Sequence, residues 1–288
     1  MHTTPHWQTT RFRIALDRPR VMGIVNVTPD SFSDGGLALQ ASDALRHAEQ
    51  LVRDGADILD IGGESTRPGA PSVPAEEEWR RISPVLQAAL GLGVPVSVDT
   101  CKPYVMQRAL DLGVDIVNDV RALQAPGALA AVQAHGQCGV CLMHMQGQPG
   151  DMQQAPAYDD VIGEVRGFLA ARLSVLREAG VSDERITLDP GIGFGKTPQH
   201  NLTLLSRQRE LLALGRPLLV GWSRKSTLGQ LTGRPVDQRV AASVAAALAA
   251  IQQGALIVRV HDVAATGDAL KVWLASGLLD GRENSVTI

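Results

Sequence analysis

The chain has few of the features that mark secreted or nucleic-acid-binding proteins. Its 288 residues include only three cysteines, and aromatic residues make up 3% of the sequence. Three cysteines cannot pair evenly, as the disulfides of a small secreted domain do. With a formal net charge of −3, the chain also lacks the basic stripe and the stacking platform that bind nucleic acid. We therefore expect no nucleic-acid partner.

Long apolar runs are also missing from the sequence. No run approaches the length of a membrane span, and residues 1–20 are polar and interrupted by proline, so they contain no signal-peptide core. No linker rich in proline, glycine and serine divides the chain. These observations predict a cytoplasmic protein without a membrane partner, with an N-terminal extension at 1–20 and one domain at 21–288.

Two segments look like known ligand motifs but do not match them. Cys138 and Cys141 form a C-x-x-C pair, but a structural zinc site needs four ligands and the sequence has no second pair. The segment GIGFGKT at 191–197 resembles a P-loop with one residue too few between its first glycine and Gly195. Pro198 follows where a P-loop would continue into its helix. We therefore expect neither zinc nor ATP binding.

What the chain does contain is a regular alternation of short apolar runs with stretches of helical periodicity. There are eight such runs, and most end in polar residues: they end at Asn26, Asp99, Asp119, His144, Asp189, Lys225 and His261, with one more running on from Asp57. This alternation predicts parallel strands covered by helices. Eight units favour a closed (β/α)8 TIM barrel as a single domain, whose active site lies at the carboxyl ends of the strands. An open doubly wound sheet is the alternative, although no dinucleotide glycine fingerprint follows the first strand.

The last predicted strand carries two residues that suit an anion. Arg259 and His261 are two positions apart, so their side chains share a face and project together at the mouth of the barrel. Phosphate groups are commonly bound at this place. Asn26 ends the first strand, which adjoins the last one in a closed barrel, and it either extends the anion site or binds Mg2+. The alternative is a structural role for Arg259 within an ion pair.

Acceptor groups end three strands on the other side of the predicted mouth. Asp99, Asn118 and Asp189 together suit a flat heterocycle rich in N–H donors, because a carboxylate accepts two parallel hydrogen bonds. Each residue alone would more often cap a helix or bond to the backbone. Lys225, just past the seventh strand, adds a cationic donor for a ring oxygen or nitrogen.

Two connections differ from the short loops of an ideal barrel. Residues 28–36 are rich in glycine and small polar residues, and residues 64–74 contain several helix breakers. Long loops at the catalytic face often act as lids. The residues in them that we expect to touch a ligand are Phe32, Thr66, Arg67 and Pro68.

Taken together, the strand-end segments resemble the successive signatures of the dihydropteroate synthase family. The matching segments are VMGIVNVTPDSFSDGG, DIGGESTRPGA, SVDTCKP, NDVRAL, CLMHMQG, LDPGIGFGK, LVGWSRKS and IVRVHDV. They follow one another in order from Val21 to about Leu279. The resemblance implies a transferase of folate biosynthesis that joins p-aminobenzoate to 6-hydroxymethyl-7,8-dihydropterin pyrophosphate and releases pyrophosphate, with Mg2+. It also implies sulfonamides as competitive inhibitors.

The resemblance also implies a role for each candidate residue. The pterin would be bound by Asp99, Asn118, Asp189 and Lys225. Pyrophosphate would be bound by Asn26, Thr66, Arg259 and His261, with Asn26 next to Mg2+. The aminobenzoate pocket would be built by Phe32, Thr66, Arg67, Pro68 and Ser226. Among these residues, Asp99, Lys225, Arg259 and His261 would be catalytic, by stabilising charge on the pterin and on the leaving group.

Some points stay open in the sequence. Cys101, Ile192 and Trp222 depart from the residues we expect at their positions in the family, and alternation should turn Trp222 away from Ser223.

A pterin-dependent methyltransferase and a non-catalytic pterin-binding paralogue are the two rival functions. The small-residue stretch 240–254 can pack closely against another element, and the resemblance favours a homodimer through the last helices.

Overall fold

Eight parallel strands, preceded by a small hairpin, form the centre of the computed structural model. The structure describes residues 5–28, 37–65, 69, 72–148 and 150–277. The hairpin consists of β1 (His6–Gln8) and β2 (Arg13–Ala15). The parallel strands are β3 (Arg20–Asn26), β4 (Ile58–Gly62), β5 (Val96–Asp99), β6 (Ile116–Asp119), β7 (Gly139–Met143), β8 (Ile186–Asp189), β9 (Leu219–Val220) and β10 (Ile257–Val260).

The sheet closes on itself. Its hydrogen-bonded order is β8-β7-β6-β5-β4-β3-β10-β9, and the two outer strands meet through a parallel bridge between Leu188 and Leu218. The Leu188 N–H donates to the carbonyl of Pro217 at 3.0 Å. The predicted TIM barrel is therefore confirmed, and the open doubly wound alternative is wrong.

Helices surround the barrel and connect its strands. The α-helices are α1 (Leu37–Arg53), α2 (Ala75–Ala89), α3 (Pro103–Leu112), α4 (Ala128–Ala134), α5 (Val161–Glu178), α6 (Pro198–Ser206), α7 (Ser226–Thr232), α8 (Val240–Gln252) and α9 (Val263–Ala275). Short 3-10 helices span Asp183–Arg185, Gln208–Leu214 and Val236–Gln238. In the described part of the chain, no helix is both long and apolar enough to span a membrane.

Strand alternation separates the core into two regions. Outward side chains such as Leu59, Val98 and Val258 pack under the helices in the larger cluster. Inward side chains near the amino ends of the strands, such as Met22 and Ile58, form a second cluster inside the barrel. Polar residues are thus left for the carboxyl ends of the strands, where the inward positions form the active-site end of the barrel.

The hairpin covers the amino end of the barrel. Trp7 is fully buried in the inner cluster with Ile14 and Leu16, and its indole N–H donates to the carbonyl of Arg185 at 2.9 Å. The hairpin, within the segment that the sequence separates as an extension, therefore packs directly on the barrel, and Arg20 already belongs to β3. The domain boundary at residue 20 stays a prediction.

The glycine-rich segment at 191–197 is arranged unlike a P-loop. The Lys196 ammonium is buried and contacts Nδ1 of His144 at 2.9 Å and the carbonyls of Gly191 and Phe194 at 2.9 and 3.0 Å. Thr197 caps a helix that begins at Pro198. Proline is well suited to the first position of a helix, so Pro198 does not by itself argue against a P-loop.

Candidate active site

A cavity of about 460 Å3 opens at the carboxyl ends of the strands. It is lined by every predicted site residue that the structure describes: Asn26, Asp99, Asn118, Asp189, Lys225, Ser226, Arg259 and His261. The other predicted residues, Phe32, Thr66, Arg67 and Pro68, lie outside the described residues. The roles of all these residues remain predictions, but eight of them do meet in one cavity.

Three strands, β5, β6 and β8, supply oxygen acceptors to one side of this cavity. Asp99 and Asn118 are register partners at the ends of β5 and β6, and Asp189 ends β8. Burial raises the pKa of Asp189 to about 6, although a hydrogen bond from the Gly191 N–H at 2.7 Å and the nearby charge of Lys225 oppose this shift. Near neutral pH the Asp189 carboxyl is mostly ionised and can accept hydrogen bonds from a ligand.

Arg259 lies between carboxylates. Its Nε donates to Oδ2 of Asp60 at 2.6 Å, and its Nη2 donates to Oδ2 of Asp99 at 2.7 Å. Burial alone would lower the pKa of Arg259, but the charges of Asp60 and Asp99 raise it above its usual value. Burial raises the pKa of Asp99 to about 7, against the opposing charge of Arg259 and with a further increase from Asp60. Arg259 therefore has the ion-pair partners of a structural arginine and also lines the cavity.

Lys225 follows β9 and reaches across the glycine-rich segment. Its ammonium lies 4.1 Å from the ring centre of Phe194, and its side chain passes so close to Gly193 that a Cβ there would meet its Cδ at 3.1 Å. Burial and the charge of Arg259 lower the pKa of Lys225 to about 8, while Asp189 and Asp99 act in the opposite direction. A partly desolvated ammonium of this kind is a strong donor to a ring oxygen or nitrogen.

His261 is a neutral side chain in this site. Burial and the charge of Arg259 lower its pKa to about 3. Oγ of Ser223 accepts the backbone N–H of His261 at 3.1 Å and lies 2.9 Å from Nδ1 of the same residue. If Ser223 donates its single proton to Nδ1, the ring proton lies on Nε2. His261 is thus a hydrogen-bond donor rather than a second cation beside Arg259.

The residues that depart from the family pattern occupy different surroundings. Trp222 is buried in the outer core cluster while Ser223 lines the cavity, so the predicted orientation is confirmed. Ile192 is buried and lines the cavity. Cys101 packs against a small cluster formed by Val120, Met143, Met152 and Phe194. Apart from Cys101, the members of that cluster line the cavity.

A layer of residues below and beside the cavity was not predicted from the sequence. Asp60 is fully buried and bonds to Arg259 and Asn118. Beside the cavity, Lys102 forms ion pairs with Glu64 and Glu78 at 2.5 Å each, while Glu64 also accepts the Val73 N–H at 3.0 Å. Asp60 alternates with outward-facing apolar residues of β4. The strand alternation that puts Arg259 and His261 on one face therefore also places Asp60 inside the barrel.

The cavity therefore combines two kinds of chemistry in one space. One side offers acceptors and an ammonium to a flat polar ring. The other offers a guanidinium, a neutral imidazole and the Asn26 amide, which suits an anion. A ligand that carries both a donor-rich heterocycle and a phosphate group matches both sides.

Comparison with known proteins agrees with this geometry. Residues 22–261 match the family model described as pterin binding enzyme. The dihydropteroate synthase of Neisseria meningitidis serogroup C is 57% identical over 94% of this chain and 98% of its own length. The chain belongs to the dihydropteroate synthase family.

Solved structures of dihydropteroate synthases share the fold. The Xanthomonas albilineans dihydropteroate synthase with 4-aminobenzoic acid has a TM-score of 0.90 and 53% identity, and the match covers 95% of this chain and 98% of that one. The same organism's dihydropteroate synthase in complex with 7,8-dihydropteroate has a TM-score of 0.87 and 50% identity, covering 94% and 98% of the two chains.

Proposed function

We propose that this protein is a dihydropteroate synthase. It joins p-aminobenzoate to 6-hydroxymethyl-7,8-dihydropterin pyrophosphate and gives 7,8-dihydropteroate and pyrophosphate. The observation that carries this conclusion is the single cavity in which Asp99, Asn118 and Asp189 face the same space as Arg259 and His261. The sequence identity to curated dihydropteroate synthases supports the same reaction.

The reaction exchanges one bond at the methylene carbon for another. The C–O bond to pyrophosphate breaks, the aromatic amine forms the new C–N bond, and the amine proton goes to solvent. The pterin nitrogens can share positive charge that develops as the leaving group departs. The amine is already nucleophilic when neutral, so a strong base is unnecessary. The residues mainly have to bind, orient and stabilise charge.

The pterin half of the substrate fits the acceptor side of the cavity. Asp189 and Asn118 present oxygen acceptors to the amino and ring N–H groups, and Lys225 donates to the ring oxygen and a ring nitrogen. Asp99 lies next to both groups of residues, since it lines the cavity and accepts from Arg259. Its carboxyl group offsets positive charge on the pterin.

The pyrophosphate leaving group fits the side of the cavity that Arg259, His261 and Asn26 line. Arg259 supplies a fixed positive charge, and His261 supplies a neutral N–H from Nε2. Donors placed where negative charge develops lower the barrier, because they need no reorganisation during the reaction. The Asn26 amide, at the end of β3, completes this side of the cavity.

Magnesium fits this side as a partner of the leaving group. The described residues contain no group of three or more His, Cys, Asp or Glu side chains that could hold a metal alone. Mg2+ commonly takes one or two protein oxygens together with phosphate oxygens and water, so Asn26 and pyrophosphate suit it. When bound, it would neutralise charge on the departing pyrophosphate.

The second substrate would bind at the outer part of the cavity. Ser226 is the first residue of α7. The backbone N–H groups at the start of this helix and the Ser226 hydroxyl can receive the aminobenzoate carboxylate. The remaining predicted contacts, Phe32, Thr66, Arg67 and Pro68, lie in the loops outside the described residues. Sulfonamides, which resemble p-aminobenzoate, would compete for this place.

A turnover assay tests the proposal directly. Purified protein is given the pterin pyrophosphate, p-aminobenzoate and Mg2+, and both released pyrophosphate and 7,8-dihydropteroate are measured. The proposal expects both products only when both substrates are present. Methyl transfer from methyltetrahydrofolate without pyrophosphate release would indicate the methyltransferase, and pterin binding without turnover would indicate the non-catalytic paralogue.

We also expect a cytoplasmic homodimer. The outer helices expose apolar side chains, with Val272 of α9 exposed at 71% and Leu231 of α7 at 58%. Of these two helices, α9 is the last one in the chain, and the family resemblance favours a homodimer through the last helices. Analytical ultracentrifugation should give twice the chain mass, and a monomer at micromolar concentration would contradict the dimer.

A further inference from the structure

Asp60 lies inside the barrel, below the active-site cavity. It is the third residue of β4, and it alternates with Leu59 and Ile61, which face the helices in the outer core. Its side chain is fully buried. The cavity lining includes Ile24, its register partner on β3, but not Asp60 itself. A carboxylate in such a place requires partners, since burial of an unpaired charge is strongly unfavourable.

One carboxylate oxygen of Asp60 accepts hydrogen bonds from two residues that line the cavity. Oδ2 accepts from Nε of Arg259 at 2.6 Å and from Nδ2 of Asn118 at 3.0 Å. In the sheet, β6 and β10 lie two strands away from β4 on opposite sides. Asp60 therefore connects the side of the cavity that fits the pterin with the side that fits the leaving group.

The contact with Asp60 determines which way the Asn118 amide points. An ionised carboxylate only accepts hydrogen bonds, so the amide must turn its NH2 group toward Asp60. Its oxygen then points away from Asp60 and is available to the cavity that Asn118 lines. Without this contact, the amide can rotate about its terminal torsion, which has a broad two-fold preference. A rotated amide would present a donor to the donors of a pterin.

The same oxygen fixes the plane of the Arg259 guanidinium. Nε is held by Asp60 and Nη2 by Asp99. Within the described part of the chain, Nη1 has no hydrogen-bond acceptor, and the side chain remains 21% exposed at the cavity. The guanidinium therefore presents one particular edge to a ligand.

We propose that Asp60 is a positioning residue that selects the substrate without touching it, by fixing Asn118 as an acceptor and Arg259 in the plane that receives pyrophosphate. This inference rests on the proposed function, because the ligand is the pterin pyrophosphate. It predicts that removal of Asp60 changes which heterocycle the site prefers, as well as how fast it turns over.

Three variants separate positioning from simple packing. Asp60→Leu has a similar size but no acceptor, so Asn118 can rotate. Asp60→Asn can keep a carbonyl oxygen in the place of Oδ2, and its NH2 then replaces Oδ1, which is buried without a partner. Ser97→Ala is the matched control, because Ser97 is the β5 register partner of Asp60 and its buried hydroxyl also has no partner among the described residues.

Ligand preference is the readout that a packing defect alone would not change. We would measure by calorimetry the dissociation constants of 6-hydroxymethylpterin and of 6-hydroxymethyllumazine, which has a carbonyl in place of the pterin amino group. Asp60→Leu should reduce the preference for pterin by about tenfold or more, since a site built for donors rejects a ligand that lacks them. Asp60→Asn and Ser97→Ala should retain the preference of the unmodified protein. Asp60→Leu should also lower kcat more than Ser97→Ala does.

Either of two results would overturn the inference. A folded Asp60→Leu protein with the original pterin preference would show that Asp60 only supports packing. If Asp60→Leu does not fold, loss of the preference in Asp60→Asn would show that its retained oxygen does not orient Asn118. Binding of the two probes needs no turnover, so the result is separate from a failure of the unmodified protein to produce dihydropteroate.

Discussion

Replacing Arg259 by alanine should destabilise the fold as well as impair the reaction. The change leaves two buried carboxylates, Asp60 and Asp99, without their cation; their side chains are 0% and 11% exposed. Removing one partner of a buried ion pair typically costs about 3–5 kcal/mol of unfolding free energy. We expect Arg259→Ala to lose an amount in this range near pH 8, measured by urea unfolding.

The pH dependence of that loss follows from protonation of the carboxylates. The pKa of Asp99 is already raised to about 7 by burial, despite Arg259, and loss of the guanidinium raises it further. A carboxyl group with a raised pKa binds a proton in the folded state before it does so in the unfolded state. The folded variant is therefore favoured as the pH falls, and loses stability as the pH rises from the unfolded pKa of about 4 toward the folded one. The difference from the unmodified protein should be smaller at pH 5.5 than at pH 8.

An exposed ion pair provides the control. Arg177 binds Asp183 at 2.7 and 2.8 Å on the surface, and Arg177→Ala should cost less than about 1 kcal/mol. If Arg259→Ala were as mild as Arg177→Ala, and independent of pH, Arg259 would not be neutralising the buried carboxylates. Catalytic losses in Arg259→Ala should be interpreted only at a pH and temperature where the variant is shown to be folded.

Three further predictions concern binding and catalysis. The kcat/KM for the pterin pyrophosphate should fall below about pH 7, as Asp99 and then Asp189 are protonated, and above about pH 8, as Lys225 loses its charge; a flat profile from pH 5 to pH 9 would contradict these roles. His261→Gln, which keeps a neutral N–H donor, should retain more kcat than His261→Phe, whereas equal losses would mean that the imidazole does not donate to pyrophosphate. Calorimetry should show that p-aminobenzoate binds the free protein negligibly but binds once pterin and Mg2+–pyrophosphate are present, and tight binding to the free protein would show a preformed pocket.

Much of the site could be predicted because it lies at the ends of strands. Strand alternation places residues such as Arg259 and His261 on one inward face, and the parallel barrel brings all the strand ends together. Neither step needs long-range information. The order of the strands then follows from the chain, since neighbours in sequence are neighbours in the barrel.

Other features depend on contacts that a linear pattern does not contain. Asp60 was missed because its partners come from strands two positions away on either side, so its role depends on how the closed barrel arranges its interior. The neutral state of His261 depends on burial and on the charge of Arg259. The packing of the N-terminal hairpin was also not predicted, because its apolar residues Trp7, Ile14 and Leu16 are interspersed with polar ones and contact the distant ends of barrel strands.

We propose that the carboxyl ends of the strands form an acceptor surface for the pterin ring. Calorimetric titration of 6-hydroxymethylpterin into the unmodified protein and into Asp189→Asn tests this most directly. The substitution keeps the size of the side chain but replaces one acceptor oxygen with a donor. Pterin binding should weaken by about 2 kcal/mol or more in the variant, as expected for a lost charged hydrogen bond and an unpaired buried group. An unchanged pterin affinity in a normally folded Asp189→Asn protein would contradict the claim.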